Sequence, residues 1–170
     1  MEIVALYNEK DEPLHQSKPR NELRNIDAYF RVVHVWLASK SGGFLIQKRN
    51  KSDDPIPYQY ATTSGLPDVD ETPWQGAKRE VKEELGLEIQ DEPLMEKKVI
   101  TATGKYKTIT YVYVVSYDEQ AVHTLDFTEV QAVKVAKLSE IKSLIKQKKF
   151  WDYPALLVDE HYFNDLEVYG

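Results

Sequence analysis

Residues 73–85 carry the clearest structural signal in the chain, because both ends of this predicted helix are marked in the sequence. Thr72 can cap the N-terminus, Pro73 occupies the first helical position, and Gln75 completes a capping box. Gly86 follows directly, at the place where a left-handed residue commonly ends a helix. We therefore predict a helix of about three and a half turns.

The acidic residues of this helix stand in an unfavourable place. Glu80, Glu83 and Glu84 are spaced i, i+3 and i+4, so they fall on one helical face. They also lie near the C-terminal end, where the helix dipole disfavours negative charge. Clustered carboxylates suit a hard divalent cation such as Mg²⁺ or Mn²⁺. The alternative is a solvated acidic face paired with Lys78 and Lys82, which is the commoner meaning of this spacing in an arbitrary helix.

The rest of the chain predicts mainly strands. We place them at residues 3–7, 29–38, 44–48, 99–103, 108–117 and 130–135. Further helices are expected at residues 139–149, with Ser139 as N-cap, and from residue 152 or 153 to about residue 163, whereas residues 15–28 and 50–60 read as loops. Strands mixed with few helices, without regular alternation, predict an α+β fold. We see no repeat or linker, and expect a single domain over residues 1–170.

Composition limits the function. Hydrophobic residues make up 42% and charged residues 29%, which is typical of a soluble globular protein. The absence of cysteine excludes disulfides, zinc thiolates and thiol nucleophiles. A net charge of −6 argues against nucleic acid as a partner. The longest apolar run, residues 111–115, is too short to span a membrane and no signal peptide is apparent, so we expect a cytoplasmic protein.

Residues 65–87 resemble the Nudix box, whose pattern is G-x5-E-x7-R-E-U-x-E-E-x-G-U with U a bulky aliphatic residue. All nine specified positions are filled, by Gly65, Glu71, Arg79, Glu80, Val81, Glu83, Glu84, Gly86 and Leu87. The resemblance implies the fold of that family, an α/β/α sandwich built on a mixed sheet. It also implies a Mg²⁺-dependent hydrolase, with Mn²⁺ as substitute, whose substrate is a small phosphorylated molecule. We expect it to cleave a diphosphate bond in a nucleoside di- or triphosphate or a related nucleoside diphosphate-X compound.

The resemblance also implies a set of metal ligands. Glu83 and Glu84 match the paired glutamates that hold the metal and take part in catalysis. Glu80 matches the third carboxylate of the same site. Gly65 lets the backbone turn closely past the site, where its carbonyl oxygen is a further candidate ligand.

Other positions of the pattern imply supporting and catalytic roles. Arg79 matches the arginine that positions the glutamates through a bidentate ion pair. Glu71 supports the loop of the box, and Gly86 ends its helix. A carboxylate must take the proton of the attacking water, and the sequence leaves open which one. Glu129, outside the box, is the best distant candidate, although an ordinary surface acid at the start of a strand is an equally good interpretation.

Candidate substrate contacts are weaker. Lys48 and Arg49 could reach phosphates, or could simply be solvated. Tyr58 could stack on a base, although aromatic residues near a proline-rich loop more often contribute to packing. His34, on an apolar strand, is interpreted as a core histidine rather than a ligand. Neither the substrate nor the oligomeric state follows from the sequence, and a homodimer is left open.

Outside the box, the chain resembles the branch of the family related to isopentenyl-diphosphate isomerase. The resemblance rests on Asp11-Glu12-Pro13-Leu14 and on the segments at residues 30–37 and 45–49. It makes an isomerase-like enzyme one alternative. A non-catalytic Nudix-fold binding module is another, but such modules usually lose box glutamates and this chain keeps them all.

The residues that isomerisation requires are missing. The isomerase needs a cysteine immediately before the box glycine, where this chain has Ser64. It also needs two metal-binding histidines, at the positions of Leu66 and Phe30. We therefore expect a hydrolase of this branch and no isomerisation of isopentenyl diphosphate.

Overall fold

The computed structural model describes residues 2–50, 52, 57–89, 92–102, 104–121 and 123–170. Across those ranges, every helix is too short or too polar to cross a membrane. The predicted loop at residues 50–60 is described only at residues 50, 52 and 57–60. Residue 103, at the end of one predicted strand, lies outside the described residues.

The described residues form strands and helices in a mixed order. The strands are β1 (Ile3–Tyr7), β2 (Pro13–Pro19), β3 (Phe30–Ala38), β4 (Phe44–Arg49), β5 (Tyr60–Ala61), β6 (Thr63–Gly65), β7 (Met95–Thr101), β8 (Thr108–Ser116) and β9 (Val130–Ala136). The α-helices are α1 (Pro73–Leu85), α2 (Leu138–Lys146) and α3 (Pro154–Val158). Short 3₁₀ helices lie at Arg20–Glu22 and Asn164–Leu166.

Strand β3 lies at the centre of a mixed sheet. It pairs in parallel with β8 along its full length, and β7 continues the sheet antiparallel beyond β8. On its other side β3 has two antiparallel partners, β6 at residues 33–35 and β4 only at residues 37 and 38. Strand β4 in turn pairs with β5 and β9. This change of partner places the end of β6, where the Nudix box begins, in the middle of the sheet.

Helices cover both faces of the sheet. Successive side chains of a strand point to opposite faces, and in this sheet apolar side chains on both faces are buried. Val33 and Val35 belong to the buried cluster that contains Val81 of α1. Trp36 points to the opposite face, where it stacks on Phe150 with ring centroids 6.1 Å apart. The result is an α/β/α sandwich, so the predicted α+β class is confirmed.

The N-terminal hairpin is longer than the sequence indicates. Residues 15–28 were expected to be loop, but β2 runs to Pro19 and pairs with β1 as far as the Ile3–Pro19 register. The polar side chains of β2 give no hydrophobic alternation, because pairing with β1 rather than burial holds this strand. Asp11, in the turn, anchors the hairpin to the sheet through Arg31 at 2.9 Å and Lys98 at 2.9 Å.

Strand and helix boundaries near the second half of the chain also differ. Strand β7 begins at Met95 rather than residue 99, because its backbone pairs with β8 from the Met95–Val114 register onward. The predicted N-cap Ser139 is wrong: α2 begins at Leu138, after Lys137. This helix ends at Lys146 rather than residue 149, and Lys148 has a left-handed φ of 58° that no helix can continue.

The last predicted helix is much shorter than expected. Only Pro154–Val158 is α-helical, with Pro154 at its first position. The chain then turns and forms a 3₁₀ helix at Asn164–Leu166. Tyr162 and Leu166 are buried against the sheet, so packing of these side chains rather than helix periodicity shapes this segment.

Candidate functional site

Helix α1 is capped at both ends as the sequence predicts. The hydroxyl of Thr72 accepts a hydrogen bond from the backbone N–H of Gln75 at 3.2 Å. The Gln75 side chain accepts one from the N–H of Thr72 at 2.9 Å. Gly86 has a φ of 69°, and a Cβ there would lie 2.7 Å from Cβ of Thr124. The helix is thus fixed in length, which in turn fixes where its acidic face lies.

Arg79 is the hub of the site. Its Nε and Nη2 donate to both carboxylate oxygens of Glu71 at 2.9–3.1 Å. Its Nη1 donates to Glu80 at 3.0 Å and to Glu83 at 3.1 Å. Nη2 also donates to the carbonyl oxygen of Leu66 at 3.0 Å. The planar guanidinium therefore ties the loop of the box to the acidic face of α1.

Glu71 is the fixed end of this network. It accepts the Asp68 backbone N–H at 2.7 Å, besides the two donors of Arg79. Partial burial alone would raise the pKa of Glu71, but the hydrogen bonds from Arg79 and the Asp68 N–H hold it below its ordinary value. Glu71 is consequently ionised, and it holds Arg79 in place from outside the acidic cluster.

Glu80 reaches over the backbone of Gly65. A Cβ built on Gly65 would lie 2.3 Å from Cδ of Glu80, so only glycine leaves room for this carboxylate. Burial raises the pKa of Glu80 to about 7, the guanidinium of Arg79 opposes this shift, and the charge of Glu83 adds to it. The carboxylate is held in a poorly solvated place where a nearby cation would favour its charged form.

Glu84 is held from the sheet side. The amide of Gln47 donates to Oε2 of Glu84 at 2.9 Å, and the Gln47 oxygen accepts from the Thr63 hydroxyl at 3.0 Å. Burial raises the pKa of Glu84 to about 8 against the effect of that hydrogen bond. The charges of Glu80 and Glu129 raise it further. These residues therefore lie close enough to repel one another.

The acidic cluster opens into a cavity of about 860 Å³. Its acidic lining consists of Glu2, Asp68, Glu80, Glu83, Glu84, Asp126 and Glu129. Within the described part of the chain, no three carboxylates or imidazoles already converge as a ligand set for a cation. The Glu83 carboxylate is directed to Arg79, and its side chain is 57% exposed.

The structure separates the predicted substrate contacts. Arg49 lines the cavity, with its guanidinium 4.1 Å from the ring centre of Trp151. Lys48 does not line it and lies instead over the ring of Tyr60, 5.9 Å from its centre. Tyr58 also lies away from the cavity lining and is 41% exposed. Of these three residues, only Arg49 is brought to the site.

Several lining residues were missed or undervalued in the sequence. His34 is a buried core histidine as predicted, yet it also lines the cavity. Trp151 and Tyr153 reach the cavity from the segment before α3, and Thr108 and Thr110 from β8. The two threonines are two positions apart on one strand and so lie on the same face of the sheet, which was the only sequence signal that they could line a common site. Nothing in the sequence placed Trp151 there, because its position depends on a long-range contact with Arg49.

The contact between Gly65 and Glu80 yields a prediction. Gly65→Ala should leave the protein folded, because the added methyl meets only the mobile end of a side chain. It should displace the Glu80 carboxylate from the cavity and lower turnover on the order of 100-fold. Turnover measured beside a melting curve checks this, and normal turnover would show that Glu80 need not lie over the backbone of Gly65.

Comparison with known proteins identifies the family of the chain. A model of the NUDIX domain matches residues 28–157, which include the whole acidic helix and Glu129. The chain belongs to the Nudix family. Nudix hydrolase 3 of Arabidopsis thaliana is 28% identical over 144 residues, covering 78% of this chain but 19% of that protein. The chain spans about half the length, or less, of the curated Nudix relatives that it matches.

Solved structures share the fold of this chain. The Deinococcus radiodurans protein DR0079 covers 95% of this chain and 99% of its own, with a TM-score of 0.68 and 22% identity. The NUDIX domain of Shewanella oneidensis NrtR, solved in complex with ADP ribose, covers 80% of this chain and 87% of its own. Its TM-score is 0.56 and its identity 17%. At these identities the similarity concerns the fold.

Proposed function

We propose that this Nudix protein hydrolyses a diphosphate bond in a nucleoside di- or triphosphate or a nucleoside diphosphate-X compound. The observation that carries the proposal is the meeting of Glu80, Glu84 and Glu129 at one cavity. Glu80 and Glu84 are partly buried carboxylates that repel each other, an arrangement that costs stability without a compensating cation. Such local conflict is expected at a functional site rather than on a solvated face.

The residues suit Mg²⁺ or Mn²⁺. Hard divalent cations prefer oxygen ligands, and Glu80, Glu84 and Glu83 would hold the ion, with the Gly65 carbonyl as a further candidate. Glu83 would turn from Arg79 to join the other two carboxylates. When bound, such an ion neutralises phosphate charge and lowers the pKa of water. The raised pKa values of Glu80 and Glu84 fit this assignment, because a bound cation would favour the charged forms that burial, and to a smaller extent the neighbouring carboxylates, disfavour.

The chain's own residues would do the rest of the chemistry. A carboxylate, Glu129 or Glu84, removes a proton from water, whose oxygen forms a bond to phosphorus as the bridging P–O bond breaks. The bridging oxygen leaves with the second phosphate. Arg79 holds the acidic face of α1 and the loop of the box in a fixed relative position throughout. Arg49, at the cavity wall, supplies a positive charge for a phosphate group.

Two observations favour a nucleotide substrate. The cavity is large and carries an aromatic and cationic wall at Trp151 and Arg49, which suits a base and phosphates. The related NrtR domain was solved in complex with ADP ribose, a nucleoside diphosphate-X compound. Isomerisation is disfavoured, since Ser64, Leu66 and Phe30 all line the cavity without offering a thiol or an imidazole.

A substrate screen tests the proposal. With Mg²⁺ or Mn²⁺ present, we expect hydrolysis of at least one nucleoside di- or triphosphate or nucleoside diphosphate sugar, with release of a nucleoside monophosphate. Chelation of the metal is the control and should abolish the reaction. Activity on non-nucleotide diphosphates alone would contradict the nucleotide assignment. Formation of dimethylallyl diphosphate from isopentenyl diphosphate would favour the isomerase alternative. The single domain and the cytoplasmic location remain predictions, and the oligomeric state is left open.

A further inference from the structure

A buried histidine in the middle of the sheet takes no part in the proposed hydrolysis. His34 lies on β3, is 2% exposed, and forms part of the cavity lining. It stands directly opposite Ser64 in the pairing of β3 with β6. The ring of Tyr153 packs on it with centroids 4.2 Å apart. Buried polar groups are normally hydrogen-bonded, so a partner is expected for each of the two ring nitrogens.

Hydrogen bonding on the far side of the ring fixes where its proton lies. Nδ1 of His34 is 2.9 Å from the hydroxyl of Tyr162, and that hydroxyl accepts from Nε1–H of Trp36 at 2.8 Å. Because tryptophan can only donate, the hydroxyl proton of Tyr162 is available for His34. Tyr162 is 1% exposed, so this proton needs a partner within the core. Nδ1 therefore accepts, and a neutral ring carries its proton on Nε2.

The ring is neutral under ordinary conditions. Burial lowers the pKa of His34 to about 3. With Nδ1 occupied by Tyr162, Nε2–H is the ring group left to meet a ligand in the cavity. His34 is thus an uncharged hydrogen-bond donor of fixed direction.

Three hydroxyl-bearing residues line the same cavity as His34. Ser64 is paired with His34, whereas Thr110 and Thr108 lie further along the sheet, opposite Val32 and Phe30. We call His34, Ser64, Thr108 and Thr110 the cavity floor. The floor carries no charge, unlike the acidic residues of α1. Phe30 and Tyr106 flank it, with their rings edge to face at 6.0 Å. Such a surface offers hydrogen bonds to a polar, uncharged group and apolar contact to its ring.

We propose that the cavity floor binds the nucleoside part of the substrate, with Nε2–H of His34 donating to an acceptor on its base or sugar. This inference rests on the proposed function and adds to it the residues that recognise the group beyond the diphosphate. An aliphatic diphosphate would cover the floor without satisfying its donors, which is costly in a buried site. Trp36 and Tyr162 act as positioning residues, because they set the tautomer of His34 without touching the ligand.

The first test is the tautomer itself. In a long-range ¹H–¹⁵N correlation spectrum of the whole protein, His34 should show a protonated Nε2 and an unprotonated Nδ1. Tyr162→Phe should remove the preference for the tautomer with the proton on Nε2, while leaving Trp36 and His34 in place. A proton on Nδ1 in the wild-type protein would overturn the proposal.

The second test is binding of nucleoside monophosphates, which lack a diphosphate bond and so remain intact. At least one of AMP, GMP, CMP and UMP should shift the Nε2 signal of His34, whereas inorganic pyrophosphate should not. His34→Phe and Thr110→Val should each raise the Kd of that nucleotide about 10-fold. Thr101→Val is the matched control, since Thr101 is a buried threonine of β7 that does not line the cavity.

The outcomes separate this inference from the hydrolase proposal. If none of the four nucleotides moves the His34 signal, or if Thr110→Val binds as tightly as Thr101→Val, the floor does not recognise nucleosides, whatever diphosphate is hydrolysed. If nucleotides bind at the floor and no diphosphate is cleaved, the inference stands and the hydrolase proposal fails.

Discussion

Replacing Glu84 with glutamine is expected to lower kcat/KM for the best substrate by about 100-fold or more, because a charged cation ligand becomes a weaker neutral one. Glu83→Gln should act in the same direction. Glutamine keeps the size of the side chain and nearly the same helix propensity, so both variants should remain folded. In Glu84→Gln the new amide oxygen can still accept from Gln47. Turnover and melting curves on the purified variants measure the two effects separately.

A matched control lies at the end of the same segment. Glu88 pairs with Lys82 at 2.9 Å on the surface and does not line the cavity, so Glu88→Gln should keep normal turnover. Adding Mg²⁺ should raise the melting temperature of the wild type and of Glu88→Gln more than that of Glu84→Gln. Near-normal turnover in both Glu83→Gln and Glu84→Gln, with an unchanged metal response, would mean that this helix is not the active site.

The second large effect concerns stability and pH in the absence of metal. Folding raises the pKa of Glu80 from 4.5 to about 7 and that of Glu84 from 4.5 to about 8, chiefly through burial. Between these limits the folded state binds more protons than the unfolded state. The contribution of these two carboxyls to the stability of the metal-free protein should therefore be fully present below the unfolded pKa and be lost as pH rises toward 8. We expect a loss on the order of a few kcal/mol.

Chemical denaturation in a chelator across this pH range measures the effect. Glu84→Gln carries no charge at this position, so its stability should fall much less and exceed that of the wild type at the alkaline end. Saturating Mg²⁺ should restore the wild type there, because the cation binds the ionised carboxylates. A wild-type free energy of unfolding that does not fall relative to that of Glu84→Gln as pH rises from about 6.5 to 8 would contradict the raised pKa of Glu84.

The features that the sequence predicted correctly, the caps of α1 and its acidic face, depend on local interactions. The caps at Thr72 and Gly86 lie within or next to the helix they bound, and their hydrogen bonds join residues three or four apart. The placement of Glu80, Glu83 and Glu84 on one face follows from helical periodicity alone. The same locality made β2 hard to predict, since its stability comes from pairing with β1 and its side chains are polar.

Only the tertiary structure shows which of Lys48 and Arg49 lines the cavity. Neighbouring residues on a strand point to opposite faces, so the two side chains do not both reach a site on one face. The pairing of β4 with β9 shifts register between Lys48 and Arg49, and Arg49 is the residue of the two that lines the cavity. A shift of one residue cannot be read from two adjacent basic residues.

The family, the capped helix and its acidic face were all predictable, because each depends on residues close together in the chain. The distant groups that complete the site come together only in the folded structure. Gln47 reaches Glu84 across 37 positions, and Tyr162 reaches His34 across 128. Those hydrogen bonds depend on strand register and on packing of the C-terminal segment against the sheet. Such contacts arise only when the whole chain has folded, so no local pattern encodes them.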